Sequence, residues 1–438
     1  MIKTVREAWK IPELKKKIIF TLLILLIYRI GNAIPVPYVD VDLLGQYFTQ
    51  LSNTVLGLYN MMSGGALSMA TVFALSIQPY INSSIIIQLL TIAIPALERL
   101  ARDGGEEGRK KIASITRYTT VAIALIQGFG YYMLMRNNSL LTDPGLWAAI
   151  VIIATFTAGS AFLMWLGEQI TEFGIGNGIS IILFASIISR LPKGVSNLSA
   201  GVRYWNRGLT KADNPNLFVL PPWGVALIII GILALTVFIV FIYNAERRIP
   251  VQYAKRVVGR KMYGGQSSHL PMKVNMSGVL PIIFAQSIAS LPATIGAFCR
   301  TTEGGPGAVF LRIIDTDSVL YCIIYFLLIV AFSFFYATIQ FNPIEVSNNL
   351  KRNGGFIPGY RPGKPTADFI RKALNKITLF GAIYLAIVAI VPIIISVFTD
   401  RSVSLGGTSV IIVVGVALET VKALESQMLM RHYKGFLE

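Results

Sequence analysis

The sequence predicts an all-α, polytopic membrane protein with ten transmembrane helices. Of its 438 residues, 54% are hydrophobic and only 14% are charged, and the mean hydropathy is +0.63. A soluble domain carries about a quarter of charged residues, so this composition is typical of a chain embedded in lipid. Ten apolar runs follow one another along the chain, and most approach the roughly 20 residues that a helix needs to cross the hydrocarbon core.

The runs differ in character. The first follows a basic, amphipathic N-terminus and lacks a small-residue cleavage site, so we interpret it as a retained span rather than a signal peptide. The second contains Pro79 among several polar residues. The fifth has twelve residues, which fits a core helix or a re-entrant segment unless the following RLPKGVSNL extends it. The runs are 18–36, 69–95, 118–135, 147–166, 178–189, 223–243, 276–297, 319–341, 377–398 and 403–424.

Lysine and arginine predict the orientation. If the N-terminus is cytoplasmic, the inside segments hold 29 of the 39 basic residues and the outside segments hold 9. The exception is the outside segment 190–222, which carries five, but long loops often escape the positive-inside rule. Both termini are therefore predicted to be cytoplasmic.

Ten spans divide into two halves of five. We expect an N-terminal half at 1–190, an external hinge loop at 191–222 and a C-terminal half at 223–438. An odd number of spans in each half inverts the second half relative to the first, a common design of channels and transporters. This expectation rests on topology alone, because no sequence repeat relates the halves.

The sequence lacks the residues that metal-dependent enzymes, nucleotide-binding proteins and ion-coupled transporters require. The two histidines, His269 and His432, lie outside the spans, and no HExxH motif occurs. The segment GYRPGKPT fails as a phosphate loop because Pro365 follows Lys364. No span carries a central Asp or Glu, whereas ion-coupled transporters bury at least one; Glu419 is near the end of the last span. We therefore expect no metal, no cofactor and no enzymatic activity.

Three amides, Asn82, Gln127 and Gln286, lie within the second, third and seventh runs. An unpaired amide in hydrocarbon costs several kcal/mol. Two interpretations stay open at this point. The amides either join neighbouring helices by hydrogen bonds or line a seam that opens to water.

The long cytoplasmic loops at 244–275 and 342–376 each carry seven basic residues against one or two acidic ones. Such charge holds loops inside, and anionic lipid attracts it. Topology does not explain the length of the loops, nor the aromatic residues between the charges. We therefore predict a docking surface for an anionic partner, either a phosphate backbone or an acidic protein face.

Five segments together resemble one family. They are YNMMSGGALSMATVFALSIQPYINSSIIIQLL, LGEQITEFGIGNGISII, AERRIPVQYAKR, SSHLPMKVNMSGVLPIIFA and FNPIEVSNNLKRNGGFIPGYRPG. They resemble the SecY family, the channel subunit of the bacterial protein translocon, over essentially the whole chain. The resemblance implies a two-half clamshell in the bacterial plasma membrane. It also implies a channel that passes unfolded secretory polypeptides and releases membrane spans laterally into lipid.

The resemblance further implies partners and site residues. The partners are SecE and SecG, the motor ATPase SecA, the ribosome, and signal peptides with nascent chains.

A short plug helix is expected at Thr54, Leu58, Asn60, Met61, Met62, Ser63, Gly64, Gly65 and Leu67. The pore ring falls on Ile77, Ile81, Ile179, Leu183, Ile283 and Ile412, where leucine departs from an all-isoleucine ring but keeps volume and polarity. The lateral gate falls on Asn82, Gln127, Gln286 and Ser287. Partner docking falls on Arg247, Arg248, Lys255, Arg256, Arg260, Lys261, Lys351, Arg352, Arg361 and Lys364, with Arg361 as the loop-tip arginine.

Two other classes of membrane protein are alternatives to a channel. One is a secondary transporter with a discontinuous second helix, and the other is an intramembrane enzyme. The lack of a coupled carboxylate or a paired catalytic group in the spans argues against both.

Overall fold

A computed structural model describes residues 2–50, 55–102, 104–207, 221–253, 256–258, 261–263, 267–276, 278–298, 318–398 and 407–434. These residues are mainly helical, as predicted. The helices are α1 (Ile2–Lys10), α2 (Pro12–Gly31), α3 (Val41–Gln50), α4 (Val55–Met62), α5 (Gln78–Ala93), α6 (Pro95–Arg102), α7 (Gly105–Asn137), α8 (Leu146–Phe173), α9 (Gly178–Ile188), α10 (Leu191–Asn206), α11 (Pro222–Asn244), α12 (Leu280–Phe298), α13 (Val319–Gln340), α14 (Pro343–Arg352), α15 (Lys364–Phe398) and α16 (Gly407–Lys434).

Six helical segments in the described part of the chain are long and apolar enough to cross a membrane, or seven if α5 and α6 count as one span bent by 106°. The six are α7, α8, α9 with α10, α11, α13 with α14, and α15. Each of the ten predicted runs contains a helix. The count of ten spans stays a prediction, because the described residues of the other helices do not combine the length, hydropathy and low charge of a span.

The second run is helical over a shorter range than its hydropathy suggested. Helix α5 begins at Gln78, and Pro79 lies in its first turn. A proline is tolerated there because its missing N–H would have no partner within the helix. The residues before it, 63–77, form turns with positive φ at Ala70 and Ser76. Most of them are buried, and irregular backbone at membrane depth requires such protein cover.

The fifth run continues as a helix, as the sequence allowed. Helix α9 is followed after two residues by α10, and together they form one span-length segment from Gly178 to Asn206. The first part of the expected external hinge loop, 191–206, is therefore helical. Residues 208–220 of that loop lie outside the described residues.

The two long basic loops contain β-structure that the sequence analysis did not predict. The strands are β1 (Glu246–Tyr253), β2 (Arg256–Val258), β3 (Lys261–Tyr263), β4 (Ser267–Lys273) and β5 (Gly355–Phe356). Strand β1 pairs antiparallel with β4 from Glu246↔Lys273 to Gln252↔Ser267, and β5 pairs with its other edge at Gln252↔Phe356. Segments from both loops thus share one sheet.

The largest buried apolar cluster joins the two halves. It contains residues from α2, α5, α8 and α9 of the first half and from α11, α12, α13, α15 and α16 of the second. A second cluster around Tyr131 and Phe156 belongs to the first half alone. A third, around Ile249, Met272 and Ile370, covers one side of the sheet with α15. The first cluster positions the candidate site.

Candidate pore and lateral seam

The six residues predicted as a pore ring lie in one apolar cluster. Five of them are 0–4% exposed, and Ile179 is partly buried and packs against the other members. They come from four helices, two in each half: Ile77 and Ile81 at α5, Ile179 and Leu183 on α9, Ile283 on α12, and Ile412 on α16. The fold therefore brings together residues that are up to 335 positions apart in the sequence.

Local structure explains how α5 and α9 present these side chains together. The N–H of Ile81 donates to the carbonyl of Ile77 over 3.1 Å, so the two remain one helical turn apart despite Pro79. Gly167 on α8 has no side chain at the place where α5 and α9 meet. A Cβ there would lie 3.3 Å from Ile179 and 3.5 Å from Ile77. A small residue lets these two isoleucines approach each other.

The predicted plug contains helix α4, which carries Leu58 and Met61; Thr54 lies outside the described residues. Helix α4 contacts α9 from the first half and α12 from the second. The chain reverses after it at Gly64 and Gly65, whose φ values are +72° and +90°. Glycine adopts such values without the strain that a side chain brings. The helix therefore ends within the range of the expected plug, just before these glycines.

Hydrogen bonds fix the plug segment against its surroundings. The Asn60 side chain accepts from the N–H of Ser68 at 3.0 Å, and the Ser63 hydroxyl donates to the Asn60 carbonyl at 3.0 Å. The Gln78 amide donates to the sulfur of Met62 at 3.5 Å, and the Tyr131 hydroxyl donates to the Leu67 carbonyl. The segment is therefore attached both to the start of α5 and to α7.

The predicted gate residues lie where α12 meets α5 and α7. Asn82, Gln286 and Ser287 are buried, and Gln127 is half-buried. The Nδ2 atom of Asn82 and both amide atoms of Gln286 have no hydrogen-bond partner among the described residues. One of the two open interpretations required hydrogen bonds that join neighbouring helices, and these atoms make none to the described residues. A buried, unpaired polar group costs about 1–3 kcal/mol.

The predicted docking residues lie around the sheet and the adjoining turn. Arg247, Arg248, Lys351, Arg352, Arg361 and Lys364 are exposed, and Arg256 and Lys261 lie on β2 and β3. Lys255 and Arg260 lie outside the described residues. The turn that presents Arg361 is held by the Thr366 hydroxyl, which donates to the Arg361 carbonyl at 2.8 Å.

One contact at the base of the sheet was missed by the sequence reasoning. The Tyr243 hydroxyl at the end of α11 donates to the Glu419 carboxylate on α16 at 2.9 Å. The Lys422 amino group lies 4.8 Å from the centre of the Tyr243 ring. These residues join the start of the first basic loop to the last helix. The only signal in the sequence was an acidic residue near the end of an apolar run.

Comparison with known proteins identifies the family. The SecY family model matches residues 71–421. The chain belongs to the SecY family. Its resemblance over the whole length is confirmed by curated SecY relatives, each described as a protein translocase subunit. The one from Streptomyces coelicolor is 43% identical over 451 residues and the one from Bacillus subtilis is 43% identical over 444, with 100% of both chains covered in each case. Relatives of this kind are channel subunits, so the expectation that the chain is not an enzyme is confirmed.

Solved structures share the fold at low sequence identity. A structure described as a protein conducting channel superposes with a TM-score of 0.67 at 17% identity, covering 95% of this chain and 93% of the other. Sec61 in a canine ribosome–channel complex gives a TM-score of 0.63 at 15% identity, covering 95% and 93%. The predicted fold class of this SecY family member is therefore confirmed.

Proposed function

We propose that this SecY family member is a protein-conducting channel that passes unfolded secretory polypeptides across the membrane and releases membrane spans laterally into lipid. The main observation in support is the apolar cluster that joins both halves. It contains Ile77, Ile81, Ile179, Leu183, Ile283 and Ile412. A narrow belt of such side chains resists wetting, so it blocks ions when no polypeptide is present. Flexible aliphatic side chains can also close around a passing chain.

The plug completes the resting seal in this proposal. Met62 of the plug segment belongs to the same apolar cluster as the ring. The helix that carries it is short, and it touches both halves. Separation of the halves would remove part of its support, so the plug and the seam are expected to open together.

The lateral gate is the seam of α12 with α5 and α7. With this seam closed, the Nδ2 atom of Asn82 and both amide atoms of Gln286 have no partner among the described residues. Water or a passing polypeptide would supply hydrogen-bond partners once it opens. The amides therefore favour opening of the seam.

Ion conductance in planar bilayers tests the channel. Ile81→Asn and Ile412→Asn place a hydrogen-bonding group in the apolar belt and should raise the resting conductance of the purified protein well above that of wild type. Leu26→Asn is the control, because Leu26 is 61% exposed on α2 and faces away from the cluster. Wild-type conductance for both ring variants would contradict the assignment of the ring.

The proposal includes specific partners. They are SecE and SecG as membrane subunits, SecA or the ribosome at the basic loops, and anionic lipid beside them. The support is the shared sheet with its exposed basic residues. Arg361→Glu should reduce SecA-driven export severalfold at equal protein level, because the reversed charge repels an acidic partner face. Arg136→Glu, an exposed charge on the predicted opposite side, is the matched control. Equal export by Arg361→Glu and wild type would refute docking at the tip.

The proposed location is the bacterial plasma membrane, with both termini in the cytoplasm. Two exposed serines lie on opposite predicted sides, Ser268 on β4 and Ser199 on α10. With the native cysteines replaced, Ser268→Cys should react with an impermeant maleimide only from the cytoplasmic side and Ser199→Cys only from outside. Labelling of both from one side would overturn the orientation.

A further inference from the structure

A cavity of about 230 Å³ lies beside the second span, between α5, α6, α7 and α8. Its polar lining residues are Tyr80, Ser84, Gln88, Thr91, Thr116 and Glu168. The first four recur along α5 at a spacing that places them on one helix face. Ile77 and Ile81 each precede one of these residues by three positions, so they lie on an adjoining part of the same face. The cavity therefore lies next to the pore cluster, against which Tyr80 packs.

The lining combines hydrogen-bond acceptors with the hydroxyl groups of Tyr80 and Ser84. The hydroxyl protons of Thr91 and Thr116 are already donated to the carbonyls of Gln88 and Ile112, at 2.7 and 2.9 Å. The Gln88 amide nitrogen points to the Ser84 hydroxyl at 3.3 Å, while its buried Oε1 atom has no partner. Lone pairs of the two threonines, the free Gln88 oxygen and the Glu168 carboxylate therefore remain. A ligand with several N–H donors and a positive charge fits this set.

Charge at the cavity is balanced rather than negative. Arg117 binds Glu168 through two contacts of 2.9 Å each. The Arg117 side chain is 52% exposed, whereas that of Glu168 is 22% exposed. The guanidinium has five N–H donors, so it retains donors for a phosphate after this pairing. An ammonium beside a phosphate, a zwitterion, matches the acceptors inside and the arginine at the rim.

The position of the cavity favours a lipid as the source of that ligand. Helix α6 turns by 106° from the end of α5 and has apolar and charged residues on separate faces. Such a short helix after a span lies in the plane of the membrane surface. The neighbouring segment 96–117 is one of the basic segments predicted to be cytoplasmic. The end of the cavity that Thr91 and Ala101 line is thus at the depth of lipid head groups, whereas the end at Tyr80 lies deeper.

We propose that this cavity binds the head group of a phosphatidylethanolamine-type lipid, with its primary ammonium among the acceptors and its phosphate at Arg117. Each methyl group added to the ammonium replaces one N–H donor, so the site loses one hydrogen bond to the head group. The site is therefore expected to reject the trimethylated choline head group, which has the same charge but no donor. Occupancy would hold α5 against α7 and α8, and α5 carries both a gate residue and ring residues.

The test is lipid retention by the full-length protein in nanodiscs of equal phosphatidylethanolamine and phosphatidylcholine. After exchange into detergent, native mass spectrometry counts the bound lipids. Wild type should retain the ethanolamine lipid about tenfold over the choline lipid, the ratio that one lost charged hydrogen bond produces. Equal retention of the two lipids by wild type would overturn the proposal.

Matched variants assign the retained lipid to this cavity. Gln88→Met and Thr116→Val should abolish the preference, because each removes an acceptor at similar side-chain volume. Thr119→Val is the control: Thr119 makes the same bond to its own helix, to the Ile115 carbonyl at 2.8 Å, but does not line the cavity. An unchanged preference in a monodisperse Gln88→Met protein would refute the site.

Free ethanolamine distinguishes the source of the ammonium. Added in excess during the exchange, it should leave the lipid in place, because it lacks the phosphate and the acyl chains. Displacement of the lipid by free ethanolamine would assign the cavity to a soluble amine and overturn the lipid proposal. These readouts require no channel activity, so they stand apart from the test of the pore.

Discussion

The two halves meet at two places that differ in chemistry. At the front seam, α12 meets α5 and α7; at the rear junction, α16 meets α9 and α1. The front seam holds Asn82 and Gln286 with unpaired buried atoms. The helices of the rear junction carry none among their described residues, and Ala8, Leu14, Ile175 and Leu424 form an apolar cluster there. A closed front seam leaves polar groups unsatisfied and a closed rear junction does not, so we infer that the halves part at the front.

The largest expected effect is on the rear junction. Leu424→Ala removes a side chain that is 4% exposed within the rear cluster. Truncations of this kind cost about 2–5 kcal/mol in soluble cores, because a cavity remains. The thermal midpoint in detergent should fall clearly. Leu429→Ala on the same helix, at a position 69% exposed, should leave it nearly unchanged. Equal shifts for the two would mean that the rear cluster is not a structural anchor.

The second largest effect is expected at the front seam, where the substitution should increase stability instead of decreasing it. Gln286→Leu removes two unpaired buried atoms at similar volume and should stabilise the closed seam by about 1–3 kcal/mol. Export of substrates with weak signal sequences should fall by about tenfold, since 1.4 kcal/mol corresponds to a factor of ten. Gln127→Leu should have less effect because Gln127 is half-buried. Increased export by Gln286→Leu would reverse the inferred direction of the amide effect.

A smaller effect is expected at the plug, which lies between the two contacts because α4 touches α9 and α12. A Cβ on Gly64 would lie 3.0 Å from the carbonyl oxygen of Ser186, whereas a Cβ on Gly65 would meet nothing within 4 Å. Both glycines have positive φ, so both alanine variants carry backbone strain of about 1 kcal/mol. Only Gly64→Ala also displaces the plug from α9, and its resting conductance should exceed that of Gly65→Ala. Identical conductance would exclude this contact as a determinant of plug position.

The smallest effect is the coupling between the two amides. If Asn82 and Gln286 are hydrated in the same opening step, their leucine variants should not be additive in export assays. The deviation expected for neighbouring residues is about 0.5 kcal/mol or more. Strict additivity in the double variant would indicate that the amides respond to separate events.

Some features of this SecY family member could be predicted from the sequence because they depend on local composition. Hydropathy over about 20 residues predicts α8, α11 and α13, since a helix satisfies its backbone within itself and lipid selects apolar side chains. The extension of α9 into α10 was one of the alternatives that the residues left open, and the plug that ends near Gly64 came from resemblance to the family. The ring positions came from resemblance to the family, because isoleucines in an apolar run have no property that separates pore from lipid.

Other features depend on contacts between distant segments, and only the tertiary structure decided them. Residues 66–77 are as apolar as a span, yet they form turns, because neighbouring helices rather than lipid cover them. Strand β5 pairs with β1 about a hundred residues earlier, a pairing that no local pattern predicts. The unpaired state of Gln286 was likewise invisible, since the sequence places an amide in a helix but not its partners. Composition determines what lipid accepts, whereas the packing of helices determines which polar groups remain without a partner.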